Sequence, residues 1–160
     1  MRFHQRPRRL PRPDYVGEKT TSFVAVAQSR ERYFVNPDIV RAMVQQLQLA
    51  ANKHHCLVPI YCFMPDHLHV MFKGFSADSD GLAAMINFKI RSGKWLFQHD
   101  VGKWQRDFFD HIMRYGDDWR HHVAYIAQNP VRAGLVNNCF DYPYLGTIGC
   151  DLQDIISRMD

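Results

Sequence analysis

Three observations predict an α+β fold for this chain of 160 residues. Short β-rich runs alternate with longer segments of helical period. Two of the runs, 56–64 and 67–73, follow one another across a tight turn and read as a hairpin. The resulting order over residues 20–114 is β-α-β-β-α-β, the split βαβ pattern of a ferredoxin-like sandwich, in which an antiparallel sheet carries its helices on one face. A further helix follows the sixth element.

Each element has its own signal. "TTSFVAVAQS" is rich in β-formers and predicts a first strand over about 20–28. In 36–54, Ile39, Val40, Met43, Val44, Leu47 and Ala51 recur at helical spacing, Asn36 or Asp38 is a cap, and Pro37 suits the first turn. "CLVPIYCFM" (56–64) and "HLHVMFK" (67–73) are apolar strands separated by the turn-forming "PD". Segment 79–99 predicts a helix capped by Ser79 or Asp80, with Gly93 weakening its later part. "RDFFDHIMR" (106–114) is a short strand candidate. In 117–129, Asp117 and Asp118 suit the positive end of a helix, and Pro130 disfavours continuation past Asn129. Beyond 134 the chain is expected to be mostly irregular, with a short helix near 151–158. The expected organisation is a basic flexible tail (1–13), one domain (14–144) and a C-terminal tail or short helix (145–160).

Composition excludes several classes. No apolar run approaches the roughly 18–20 residues that span a bilayer. The Arg-rich start has no apolar segment behind it, so a secretory signal is not expected and a cytoplasmic location is. Four cysteines contain no C-x-x-C pair, which argues against a zinc ribbon or a thioredoxin-like site. The net charge of +4 is unevenly placed: five arginines and no acid in residues 1–13 leave 15 basic against 16 acidic residues elsewhere. Arg2, Arg6, Arg8, Arg9 and Arg12 therefore suit a phosphate backbone. Lys89, Arg91, Lys94 and Arg106 form a second basic stretch, and Arg114 and Arg132 are further phosphate-contact candidates. Trp95, Trp104 and Phe108 suit either base stacking or the core.

The chemistry-bearing residues lie in two places. His67 and His69 are two apart on a strand, so both imidazoles face the same side, and Leu68 and Val70 face the other. Their Cβ atoms are expected about 6.5–7 Å apart, within reach of one ion. An H-x-H pair alone is more often two exposed or hydrogen-bonded histidines than a metal site. On the helix 117–129, Tyr125 and Asn129 are i and i+4 and share a face. Asn129 is a candidate third ligand and Tyr125 a candidate nucleophile beside it. A tyrosine on an amphipathic helix is, taken singly, usually a packing residue. His121, one turn before Tyr125, is a conceivable base or a surface imidazole.

"YCFMPDHLHVMF", "WQRDFFDHIMR" and "YIAQNPVRAGLV", in that order, resemble the REP-associated tyrosine transposases, relatives of the single-tyrosine HUH transposases. The resemblance covers most of 14–144. It implies that His67, His69 and Asn129 hold a divalent cation, Mg²⁺ or Mn²⁺, and that Tyr125 is the nucleophile. Imidazole ligands alone suit softer transition ions, so the metal follows from the resemblance. It also implies the activity of a single-stranded DNA endonuclease and strand transferase, with a 5′-phosphotyrosine intermediate. The implied partners are REP-type DNA hairpins with a flanking tetranucleotide, met by a monomer or homodimer at the nucleoid. Asp66 stands where many relatives have Asn. Two other readings remain: a metal hydrolase using an activated water, and a domesticated hairpin-binding protein that no longer cuts. The intact set of His67, His69, Tyr125 and Asn129 argues against the second.

Overall fold

The computed structural model describes residues 9–114 and 117–159. In chain order the elements are β1 (Thr20–Val26), α1 (Pro37–Lys53), β2 (Cys56–Met64), β3 (His67–Gly74), α2 (Gly81–Gln98), β4 (Phe109–Ile112), α3 (Trp119–Ala127), α4 (Asn129–Arg132), β5 (Leu145–Ile148) and α5 (Leu152–Ser157). The sheet has the order β4-β1-β3-β2-β5, and every described pairing is antiparallel. The expected α+β sandwich is present, and β3 is its central strand.

Caps start the long helices where polar side chains replace the missing intrahelical partners. Asn36 Oδ1 accepts from the Asp38 amide at 2.9 Å, and Asp80 Oδ1 from the Ala83 amide at 2.8 Å. Asp118 Oδ1 accepts from the Arg120 amide at 2.9 Å. Helix α2 continues through Gly93 to Gln98, because its inward face is tied down on both sides of the glycine. Phe88 and Leu96 are buried, and the Trp104 indole donates to Ser92 Oγ at 2.9 Å.

The two faces of the sheet carry separate cores. On one, Phe23, Leu68, Val70 and Phe72 pack against α1 and α2 through Met43, Leu47, Met85 and Phe88. On the other, Ile60, Cys62 and Met71 pack against Val123 and Ile126 of α3 and Ile155 of α5. A bulge in β2 makes this possible. Leu57 pairs with Lys73 but Ile60 pairs with Met71, so β2 carries one extra residue, and Pro59 lies inside the irregularity. Before the bulge, Cys56 and Val58 face the α1–α2 core; after it, Ile60, Cys62 and Met64 face the opposite side. The second face thereby becomes apolar enough to hold the additional helices.

One departure from expectation lies beyond residue 134. Residues 145–148 are not irregular: β5 adds to the edge of β2 through Tyr61–Gly146 and Cys62–Leu145 pairs. Its single glycine is what permits the close approach. A Cβ at Gly146 would lie 2.4 Å from the Tyr61 hydroxyl. Helix α5 forms within the expected 151–158 and buries Leu152 and Ile155.

Candidate functional site

The site lies on the sheet face opposite α1 and α2. Strand alternation brings His67 and His69 to that face, and their Nε2 atoms approach to 3.2 Å. Two ligands about 2.1–2.2 Å from one ion, at roughly a right angle, lie about 3 Å apart. The observed separation therefore fits a shared cation. The polar neighbours favour the same chemistry. Asp66 Oδ1 is 2.7 Å from His67 Nδ1, which places the proton on Nδ1 and leaves the Nε2 lone pair toward His69. Asp66 Oδ2 in turn accepts from Arg30 Nε at 3.0 Å. Burial pushes the Asp66 carboxyl up, but the hydrogen bonds from His67 and Arg30 outweigh it and hold it below the ordinary carboxylate value. Asp66 thus orients His67 as well as occupying the turn. Burial drives His69 down to about 3, aided by His67, His122 and Arg132, so this imidazole is neutral at physiological pH, as a metal ligand must be.

Helix α3 carries Tyr125 to the same face. Tyr125 is 59% exposed and shares a cavity of about 210 Å³ with His69, Ser22, His111 and His122. The His122 ring lies nearly parallel to the phenol, its centroid 6.4 Å away, and His122 Nε2 meets Ser22 Oγ at 3.1 Å. Burial, with a smaller contribution from His111, lowers the His122 pKa. His122 therefore has the ring contact with the tyrosine, whereas His121 only shares an outer groove with it. His121 turns outward toward Asp118 at 3.5 Å. Both are neighbours of Tyr125 on a helix, one turn before it; what separates them is the contact of His122 with Ser22 of β1 and His111 of β4.

Asn129 is not on one continuous helix with Tyr125. Pro130 has no amide to donate to Ile126, and α3 ends at Ala127, with α4 starting at Asn129. Arg132 rejoins the two residues. Its guanidinium lies 4.1 Å from the Tyr125 ring centroid, and its Nη2 donates to the Tyr125 carbonyl at 2.8 Å and to Asn129 Oδ1. Asn129 Nδ2 is buried and has no hydrogen-bond partner among the described residues. Among the described residues no group of three His, Cys, Asp or Glu has metal-site spacing. The donor set here is two imidazoles with an amide in reserve. The two imidazoles fit a cation as they stand, and the amide oxygen of Asn129 is engaged by Arg132.

The basic candidates divide. Arg2, Arg6 and Arg8 lie outside the described residues. Arg9 lies over the Phe108 ring at 3.9 Å and pairs with Asp110 at 3.2 Å, and Arg12 pairs with Asp80 at 2.9 Å. Lys89 is turned inward: its ammonium donates to the carbonyls of Gln105 at 2.6 Å and Arg106 at 3.1 Å. Arg91 donates to Asn87 at 2.9 Å. Lys94, Arg106 and Arg114 are exposed. Of the aromatic candidates, Trp104 and Phe108 belong to the core, and Trp95 stacks on His99 at 3.9 Å. Arg30, Ser22 and His122 had no sequence motif to mark them; each joins the site only when distant strands and loops meet.

Fold and site together define an α+β protein whose central strand presents an imidazole pair beside a helix-borne tyrosine. The chain is similar to REP-associated tyrosine transposases. It is 34% identical over 84 residues to a REP-associated tyrosine transposase of Escherichia coli (strain K12), a match spanning 51% of this chain and about half, 48%, of that protein. It is 24% identical over 134 residues to a Haemophilus influenzae protein provisionally named in the same way, covering 76% of each. The solved structure of a REP-associated tyrosine transposase bound to a REP hairpin superposes with a TM-score of 0.71 at 22% identity, over 89% of this chain and 82% of that one. A provisionally named transposase of Deinococcus radiodurans shares the fold more distantly, with a TM-score of 0.51 at 14% identity, over 73% of this chain and 91% of that one. No protein-family model matches.

Proposed function

We propose that the protein is a metal-dependent single-stranded DNA endonuclease and strand transferase, acting on REP-type hairpins and their flanking nucleotides through a 5′-phosphotyrosine intermediate. The observation that carries this reading is the pairing of two converging imidazoles, 3.2 Å apart, with a tyrosine that shares a cavity with one of them. The named relatives, one of them solved with a REP hairpin, support the choice of substrate.

His67 and His69 would hold Mg²⁺ or Mn²⁺, with Asn129 as a third donor once Arg132 lets go of its oxygen. When bound, such an ion supplies charge stabilisation to the scissile phosphate. The remaining steps belong to the chain itself. Asp66 fixes the His67 ring. His122 and Arg132 flank the Tyr125 ring and orient its hydroxyl. That oxygen attacks phosphorus, the 3′-oxygen leaves, and the retained phosphodiester energy permits a DNA 3′-hydroxyl to reverse the step. No nucleotide cofactor is required. Charge on the exposed Lys94, Arg106 and Arg114 would meet stem phosphates.

Incubation with a labelled single-stranded REP hairpin and Mg²⁺ or Mn²⁺, followed by a denaturing gel, tests the reading. The expected result is a covalent protein–DNA adduct that is lost in Tyr125→Phe and in His67→Ala/His69→Ala, with circular dichroism unchanged. Cleavage that persists in Tyr125→Phe would transfer the chemistry to an activated water. Tight hairpin binding with no cleavage in either metal would identify a hairpin-binding protein without catalysis.

A further inference from the structure

The imidazole pair stands between two cavities. His69 lines the one that contains Tyr125; His67 lines a separate groove of about 520 Å³ with Arg30, Arg32, Met64, Ala133 and Leu135. That volume is within the range of ordinary small-ligand sites and suits one or two nucleotides. We infer that this groove holds the DNA segment that departs with the 3′-hydroxyl, its phosphates on Arg30 and Arg32 and a base against Met64 and Leu135. The inference rests on the transesterification proposed above.

Charge and construction both favour a phosphodiester here. Arg30 is anchored on Asp66 yet its side chain remains about half exposed. Arg32 is exposed, and no ion pair or hydrogen bond of its side chain occurs among the described residues. The loop that carries both is built to stay in place. The Ala27 amide donates to the Asp66 carbonyl at 2.9 Å, and the Phe34 amide to the Pro65 carbonyl at 3.1 Å. Between these anchors Ser29 and Arg30 adopt left-handed backbone angles, φ 56° and 53°, that turn the chain back over the β2–β3 turn. The apolar wall opposite, with Leu135 42% exposed, offers a surface for an unstacked base.

Stereochemistry assigns the side. In the transfer a bond forms between the Tyr125 oxygen and phosphorus while the P–O3′ bond breaks. The phenol proton passes to solvent, and the 3′-oxygen leaves with the bonding pair and takes a proton from water. Entering and leaving oxygens are roughly in line at phosphorus. With Tyr125 on the His69 side, the 3′-oxygen leaves toward His67 and the arginine groove. A groove that retains the cut strand keeps its 3′-hydroxyl ready for rejoining.

Two measurements test this, and the first is independent of catalysis. In a Tyr125→Phe background, a fluorescein-labelled single-stranded hairpin with unpaired flanks is titrated by anisotropy at several salt concentrations. Arg32→Gln is expected to weaken binding about tenfold and to make the salt slope shallower by about one. Arg41→Gln, on the far helix α1, is the control and leaves both unchanged. Equal affinity for Arg32→Gln and its parent overturns the inference, as does tighter binding of an RNA of the same sequence. The second measurement uses the otherwise wild-type protein and DNA labelled at its 5′ end. After adduct formation, Arg32→Gln is expected to release the 3′-hydroxyl fragment and to rejoin it about tenfold more slowly, with the tyrosine adduct still formed. Retention equal to wild type overturns the assignment of the groove to that strand. If no adduct forms even in the wild type, the proposed reaction fails, while the binding measurement still decides whether the groove holds DNA.

Discussion

Lys89 shows how far a single residue can depart from what its type suggests. A lysine in a basic stretch reads as a phosphate contact, yet here the ammonium faces the carbonyls of residues 105 and 106 and is desolvated. Burial lowers its pKa to about 8, partly offset by Asp107. The unfolded chain holds this proton up to about 10.5 and the folded chain releases it near 8, so the lysine's contribution to stability rises with pH across that window. A nitrogen-detected NMR titration should find one ammonium that deprotonates near pH 8 and is missing from Lys89→Met. An amine still charged above pH 10 would contradict the burial argument. His122 makes a related point. Two adjacent histidines precede Tyr125, and helical geometry alone does not choose between them; Ser22, 100 residues away in sequence, does.

At the scale of elements, β5 is the one strand that reading the sequence missed. "LGTI" is short and follows a Gly- and Pro-containing stretch, so it carries little periodic signal. Its place is decided by the free edge of β2 and by the fit of Gly146 over Tyr61. Gly146→Ala should therefore destabilise the fold by about 1–3 kcal/mol, the usual cost of overpacking. Urea denaturation measures this, and Tyr61→Leu in the same chain should recover much of the loss. Full additivity of the two substitutions would mean that the glycine matters for some other reason. The two histidines on β3 were legible because a strand's period of two is a strong rule. The continuous helix expected over 117–129 was not what formed, because Pro130 removes an amide and divides it, leaving Arg132 to bridge Tyr125 and Asn129.

For the whole molecule, one consequence of the two-core arrangement is sensitivity to alkali. Tyr15 is raised to about 12, by burial first and then by its hydrogen bond to Asp110; Cys56 and Cys62 are raised by burial to about 11 and about 12. All three acids hold their protons longer folded than unfolded. Their contribution to stability is therefore fully present below about pH 9 and is lost as pH rises toward 12, opposite in sign to that of Lys89. Thermal melts in Lys89→Met, which lacks the opposing lysine, should show Tm falling from about pH 9 to 12, and adding Tyr15→Phe should lessen the drop between pH 10 and 12. A Tm indifferent to pH over this range would count against the burial of these groups.

The sequence by itself determined the α+β class and the order and approximate bounds of eight of the ten described elements, and it singled out His67, His69, Tyr125 and Asn129 as the candidates for chemistry. It could do so because strand alternation, helix caps and proline breaks are local, and because those four lie in recognisable short motifs. Only the tertiary structure decided that the β2 bulge turns an apolar face toward α3 and α5. The same holds for the inward Lys89, the choice of His122, and the two arginines brought beside His67. These depend on contacts between segments tens of residues apart, where side-chain type sets what is possible and packing selects what occurs.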